Sequence, residues 1–453
     1  MGNSLASILS TANSMRAFEH AINVIQNNVS NVSTAGYARQ LQLLSAARVD
    51  LSLGIPGGVL AGEVLSSRDQ HAEQMVRAQQ QSLGQAEERT AQLEQLEPIF
   101  DITEQSGIAG DLTQLFQSFS QLSIAPNNAP ARQVVLDRAQ QLSRSINQSA
   151  NSLGVASANT GLQIRSTVAS VNSLIGQLRE YNRERRQNFE SNQDPGLDAE
   201  IHNTLEKLSE LVDFTALEQP DGTTTILLGG QTLALIGDAQ FTISAGLTGS
   251  QASILDSQGN DITGQLSGGR LAGQLEIQNR AIPSYRNALD RLAVGIADTI
   301  NSQLALGLDA AGTAPTRNLF VYDSAGGAAA TLSTNSLTTG EIAAASSGSP
   351  GGNGNSLQLA TLGSSKQIGG FTFTEFYGNL AGSVGRDLTT ARNDRRAGGA
   401  LLLQAKHLRA ERSEVSLDEE AARLLQFQKS YEAAAKMVNV LAEITDSVMT
   451  LIR

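Results

Sequence analysis

The chain has 453 residues, enough for two to four domains at ~100–200 residues each. Its 44 Asp and Glu outweigh 32 Lys and Arg for a net charge of −12, which argues against nucleic acid or an anionic membrane surface as partner, since both need clustered basic charge. Cysteine is absent, which excludes disulfides and thiolate metal sites, and the 4% aromatic content without Trp favours long helices meeting along seams over a large aromatic core.

Taken in chain order, residues 5–32 come first. Apolar side chains fall at Leu5, Ile8, Ala12, Met15, Phe18, Ile22, Ile25, Val29 and Val32, alternating steps of three and four with one extra three-residue step between Met15 and Phe18. That spacing predicts a narrow coiled-coil seam with a single stammer, not the wider stripe of a helix lying on a globular core. The seam stops in a polar, turn-forming run, Asn27-Asn28-Val29-Ser30-Asn31-Val32-Ser33-Thr34-Ala35-Gly36-Tyr37. A lone amphipathic helix of this kind needs a partner. Around Gly54-Ile55-Pro56-Gly57-Gly58, residues 41–68 alternate loosely and read as an extended arm with a hairpin.

Helical patterns follow over 69–97, ending at Pro98, over 108–122, over 131–189 with a break around Gly154, and over 197–212 after Asp194-Pro195-Gly196. Between 214 and 277 the period switches to short β-type runs (223–228, 231–236, 240–244 and 252–255) separated by Gly and Asp turns, which predicts one small inserted β domain. Helical pattern returns over 283–306, and 307–355 is rich in Gly, Ser, Ala and Thr with little period. Residues 373–412 read as one long helix with a soft point at Gly398-Gly399.

At the last helix, Ser416 is a good N-cap and Glu419 completes a capping box, while Asp418 and Glu419 also suit the positive end of the helix dipole. Leu424, Phe427, Tyr431, Ala434, Val438, Leu441, Thr445, Val448 and Ile452 then alternate three and four without a slip. The two terminal seams are therefore expected to pair. Because the stammer has no counterpart in the second seam, residues 5–12 are expected to pack mainly on neighbouring subunits.

The fold class predicted is mainly α and multidomain, with paired N- and C-terminal coiled-coil helices, a helical-bundle middle domain and one small inserted β domain. The boundaries are 1–40 for the first helix, pairing with 413–453; 41–68 for the arm; 69–212 and 281–412 for the helical domain, with a Gly/Ser-rich loop region at 307–355; and 213–280 for the β insertion. Two narrow terminal seams favour intermolecular self-assembly over closure of a monomeric bundle, and the free monomer's ends are expected to be largely disordered.

Nothing in the sequence supports catalysis. His20, His71, His202 and His407 are scattered and form no His-Glu-x-x-His pair, and no P-loop or Gly-x-Ser-x-Gly elbow is present. Carboxylates are plentiful, so a wall-degrading enzyme stays as an alternative, and a carbohydrate-binding adhesin using the β insertion is another. Asp418-Glu419-Glu420 is accounted for by capping. The Gly351-Gly352-Asn353-Gly354-Asn355-Ser356 and Asp256-Ser257-Gln258-Gly259-Asn260-Asp261 stretches lack the ligands of calcium repeats and read as turns. Cofactor, catalytic and metal residues are thus expected to be none.

The run of Asn27, Asn28, Asn31, Thr34, Gly36 and Tyr37 resembles the Asn-Asn-x-x-Asn-x-x-Thr-x-Gly-Tyr signature of the bacterial flagellar rod, hook and hook-associated axial family. The tail from Ser416 to Lys436, Arg39-Gln40, and Leu228-Gly229-Gly230-Gln231 are most similar to the hook-associated branch, the first of two junction proteins between hook and filament. One departure is His202-Asn203-Thr204-Leu205, where that branch usually has an Asp-Gln-Arg-Asp run. The resemblance implies a non-enzymatic axial component that self-assembles into a ring or tube and adapts a flexible hook to a stiff filament; another axial subunit, of rod or hook type, is the nearest alternative. Implied partners are other copies of itself, hook protein and the second junction protein, with no nucleic acid and no membrane insertion. It also implies an extracellular place at the hook–filament junction, reached through flagellar export without a cleaved signal peptide. No stretch approaches the ~18 apolar residues of a membrane span, and Arg16 is the only early basic residue, unlike a secretory signal. A sticky C-terminal seam needs shielding before export, which predicts a cytosolic chaperone holding 424–452 as helix-in-groove.

Overall fold

The computed structural model describes residues 2–50, 55–100, 107–187, 194–248 and 251–451. In chain order it has α1 (Gly2–Ser30), β1 (Gln40–Ala46), β2 (Val49–Asp50), β3 (Ile55–Pro56), β4 (Val59–Ser66), α2 (Gln70–Leu96), α3 (Gly107–Ile124), α4 (Ala129–Gln187) and α5 (Pro195–Leu211). Strands β5 (Phe214–Glu218), β6 (Thr224–Leu228), β7 (Thr232–Ile236), β8 (Ala239–Gln240), β9 (Ser244–Thr248) and β10 (Gln251–Leu255) lead to α6 (Gly269–Glu276). A π-helical turn, Ile277–Ala281, joins α6 to α7 (Ile282–Ala305). After β11 (Gly307–Leu308), β12 (Phe320–Val321), α8 (Ala328–Thr331), β13 (Ser333–Thr334) and β14 (Ala345–Ser346), the chain ends in α9 (Gly354–Leu362), α10 (Phe373–Ser413) and α11 (Leu417–Leu451).

The mainly α fold with small β insertions matches the class read from the sequence. Two compact units divide it: Met1–Gln81 with Val171–Phe241 and Gly398–Arg453, and Ser82–Ser170 with Thr242–Ala397. In the first unit α1 packs along α11 and against β1 and β4 of the arm. The arm is an antiparallel pair, Gln40 opposite Ser66 through Ala46 opposite Val59, with a bulge between Gln42 and Leu44. Strands β5 to β8 form one antiparallel sheet in sequence order. Buried Asn182 on α4 fastens it, donating to Thr224 O and Gly237 O at 2.9 Å each and accepting from the Thr224 N–H at 2.8 Å.

The second unit holds a continuous apolar core from α3, α4, α7 and α10. Phe119, Leu142, Leu289, Ile296 and Phe373 are all fully enclosed. Where the sequence reading has one β insertion over 213–280, the strands form two separate sheets. The hairpin β9–β10 belongs to this second unit, because the π turn aims Asn279 at β10: its amide exchanges two 2.8 Å hydrogen bonds with the Ala252 backbone. The low-period region 307–355 is also ordered against the core. Arg132 donates to the carbonyls of Pro126 at 2.7 Å and Ile342 at 2.7 Å, and Phe320, Leu332 and Ile342 are buried.

The break expected near Gly154 is absent: α4 runs unbroken for 59 residues. One glycine costs ~1 kcal/mol in a helix. The buried line Val135, Ala139, Leu142, Ile146, Ala150 and Leu153 continues past it to Ile164 and Val168, and outweighs that cost. Likewise α10 passes Gly398-Gly399 without a stop.

Candidate assembly joint

α1 packs along α11, and the predicted seam residues are partly covered. On α1, Ile8, Ala12, Met15, Phe18 and Ile22 are half-buried and Ile25 is buried; on α11, Leu424, Phe427, Tyr431, Ala434, Val438, Leu441 and Thr445 are half-buried. The Phe18 and Phe427 rings lie 6.3 Å apart, tilted by 32°. The ends of the seams do not pair in this way. Leu5 is 59% exposed, and Val29, Val32 and Val448 are exposed; Ile452 lies outside the described residues.

The most buried line on α1 is a different one, Ser14, Ala17, Ala21, Ile25 and Asn28. Small side chains at these three- and four-residue steps let the arm come close. Ser14 Oγ accepts from the Val59 N–H at 2.9 Å, and Ser10 Oγ donates to Gly57 O. Only glycine fits at Gly58, where φ is +134° and a Cβ would fall 2.5 Å from Ser10 Oγ.

The signature residues gather at the foot of the helix pair. Asn28 is wholly buried and uses its full amide capacity: Nδ2 donates to Gln40 O at 2.8 Å and to Glu420 Oε2 at 3.1 Å, while Oδ1 accepts from the Gln40 N–H at 2.9 Å and lies 2.9 Å from the Tyr37 hydroxyl. Asn31 Nδ2 donates to Asn27 Oδ1 at 2.7 Å, and the Thr34 hydroxyl donates to Asn31 Oδ1 at 3.1 Å. These bonds shape the turn that ends α1. Burial, then the nearby Glu420 carboxylate, pushes the Tyr37 hydroxyl up to about 12.

Gly36 turns the chain at φ +79°, and a Cβ there would meet Ala199 O at 2.5 Å. Its carbonyl accepts from Arg68 Nη2 at 2.6 Å, while the same guanidinium donates to Asp198 at 2.9 Å and Glu73 at 2.7 Å. One arginine thereby ties the signature loop to α5 and α2.

Glu420 is the residue that the sequence reading assigned to capping. It is 1% exposed and receives Arg39 Nε at 2.7 Å besides Asn28, so it joins α1, α11 and the residue that leads into β1. Glu419 likewise accepts from Arg39 Nη1 at 2.8 Å, in place of the return bond of a capping box, and Ser416 Oγ accepts from the Glu419 N–H only at 3.5 Å. Arg39 is the signal for it in the sequence: a cation two residues beyond Tyr37, whose carboxylates turn out to be Glu419 and Glu420.

Among the described residues no group of three His, Asp or Glu side chains is placed to hold a metal ion, and no helix is long and apolar enough to cross a membrane. What the joint offers is positioned hydrogen bonds and half-covered apolar surface.

The fold and the joint define a helical structural protein that brings its first and last helices together. Residues 93–320, half of the chain, match the model of the flagellar hook-associated protein FlgK helical domain, and 407–451 match the C-terminal model of flagellar basal body rod FlgEFG proteins. Flagellar hook-associated protein 1 of Bacillus subtilis is 27% identical, over 96% of this chain and 96% of its own length. The Salmonella typhimurium protein of that name is 26% identical over 66% of this chain and 56% of its own. The solved structure of the flagellar hook junction protein FlgK from Burkholderia pseudomallei aligns with a TM-score of 0.68 at 15% identity, covering 76% of this chain and all of that one. The chain belongs to the flagellar hook-associated protein 1 family, and its function is that of a structural component of the flagellum.

Proposed function

We propose that this chain assembles with copies of itself at the hook–filament junction, on the cell exterior, and adapts a flexible hook to a rigid filament. The observation that carries this is the unfinished burial of the terminal pair. Leu5, Leu9, Met437, Val440, Ile444 and Val448 are each 41–59% exposed, on helices that already share one seam. Such a surface on a chain of net charge −12 is stable when neighbouring copies cover it. Hook protein would meet one side of the assembly and the second junction protein the other. The exposed tail surface also supports a cytosolic chaperone on 424–452 that shields it before export to the flagellum. The seam and signature residues are the assembly determinants in this reading.

The test is removal of residues 441–453. The truncated protein should keep the melting transition of the second unit yet fail to incorporate at hook tips in cells lacking the full-length chain. Normal filaments from such cells would refute the proposal.

A further inference from the structure

The departure at His202-Asn203-Thr204-Leu205 lies against the joint. His202 is on α5, one turn after Asp198, with Nε2 3.7 Å from Asp198 Oδ1. Its side chain is 18% exposed, and Nδ1 is enclosed with no hydrogen-bonding partner among the described residues. A small cavity of about 60 Å³ beside it is lined by Glu73, Arg77, Arg185, Glu218 and others.

The charges around it come from every element packed there. Arg68 follows the arm, and Glu73 and Arg77 stand on α2. Arg185 is on α4, Asp198 and Glu206 are on α5, Glu218 is on β5, and Lys406 and Arg409 are on α10. The acids are already engaged. Asp198 accepts from Arg68 and, at 3.2 Å, from Arg185; Glu73 takes Arg68 and Arg409; Glu206 takes Arg409 at 2.8 Å and Lys406 at 2.7 Å.

We infer that His202 makes the joint an acid-sensitive latch: protonating it puts a further cation among guanidiniums whose carboxylates are spent, and so loosens the Arg68 hold on Gly36. A proton on the imidazole competes for Asp198, the acid that orients Arg68. Burial first, then Arg68, Arg77, Arg185 and Arg409, keep the imidazole well below its ordinary range. The sign follows. The unfolded or opened chain takes up the proton first, so the latch is fully held above the ordinary imidazole value of 6.5 and weakens as pH falls below it. His20, His71 and His407 are exposed.

The test is amide hydrogen exchange on the full chain, expressed as protection factors for residues 32–37 and 68–77. Between about pH 7 and about pH 5, protection in this segment should fall by as much as ~10-fold per unit, the limit for one linked proton, and His202→Gln should flatten the fall. An equal fall in the variant, or unchanged protection in the natural chain, overturns the inference. Should His202→Gln not fold, the imidazole resonances of the natural chain decide. His202 should stay neutral below the ordinary imidazole value of 6.5 until protection is lost. Protonation at that ordinary value, with protection intact, is the contrary result.

Discussion

Asn28 Nδ2 on the first helix and Glu420 Oε2 on the last lie 3.1 Å apart, between residues 392 positions apart in the chain, and both side chains are buried. With Arg39 on the other carboxylate oxygen, this contact makes the two terminal helices and the arm one hydrogen-bonded unit. Asn28→Ala removes four bonding positions at once and leaves the Gln40 backbone and Glu420 underpaired. An unsatisfied buried group costs ~1–3 kcal/mol, more for a charged one, so a loss of about 2–4 kcal/mol is expected. Urea denaturation followed by circular dichroism measures it. A change under ~0.5 kcal/mol, the range of an ordinary surface substitution, would show that the amide is dispensable.

Gly36→Ala should act on the same joint through the backbone. The new side chain meets both the positive φ of +79° and Ala199 O at 2.5 Å, whose backbone cannot move aside without shifting α5. Strain of this kind is worth ~1–3 kcal/mol. The loss should show as faster exchange of amides around Arg68 and Ala199, with the second unit's protection unchanged.

Tyr37 adds an alkaline limit. Its hydroxyl is raised to about 12 in the fold against 10.0 for the free side chain, so the folded chain holds the proton longer than the unfolded one. The stabilisation is therefore fully present below pH 10 and is lost as pH rises through about 12. Tyr37→Phe should abolish that step, as ultraviolet titration of tyrosinate alongside circular dichroism would show. An identical alkaline transition in both proteins would assign it elsewhere.

Much of this architecture was readable from spacing. α1 packs along α11, with Phe18 and Phe427 in ring contact, and α10 and α11 begin and end within two residues of their predicted limits. Other features were hidden for physical reasons. Ala17, Ala21 and Asn28 form the deepest line of α1, yet small and polar side chains do not register as an apolar stripe. Glu420 has a local use at a helix N-terminus, so nothing nearby signalled its partner Asn28. The order of 307–355 comes from Arg132 reaching carbonyls 207 to 210 positions away, and strand pairs two residues long have no period to detect. The π turn at Ile277–Ala281 likewise shows itself only through Asn279 and the Ala252 backbone it meets.

The seam and the exposed stripe of α11 can be separated by substitution. Phe427 is half-buried against Phe18 at 6.3 Å, so Phe427→Ala should destabilise the helix pair itself, by ~0.5–1.5 kcal/mol from the ring contact and more from the area uncovered. Met437, Val440 and Ile444 are 55%, 51% and 50% exposed, at steps of three and four on the outer side. Ile444→Ser removes little that the isolated chain uses, so its denaturation midpoint should stay within ~0.5 kcal/mol of the natural protein. If neighbouring copies bury that stripe, the same variant should fail to assemble, by sedimentation of purified protein and by filament counts in cells. Loss of assembly with stability retained places the stripe at the intermolecular contact. Normal assembly by Ile444→Ser together with Met437→Ser would mean that the outer stripe of α11 faces solvent in the flagellum and that copies meet elsewhere.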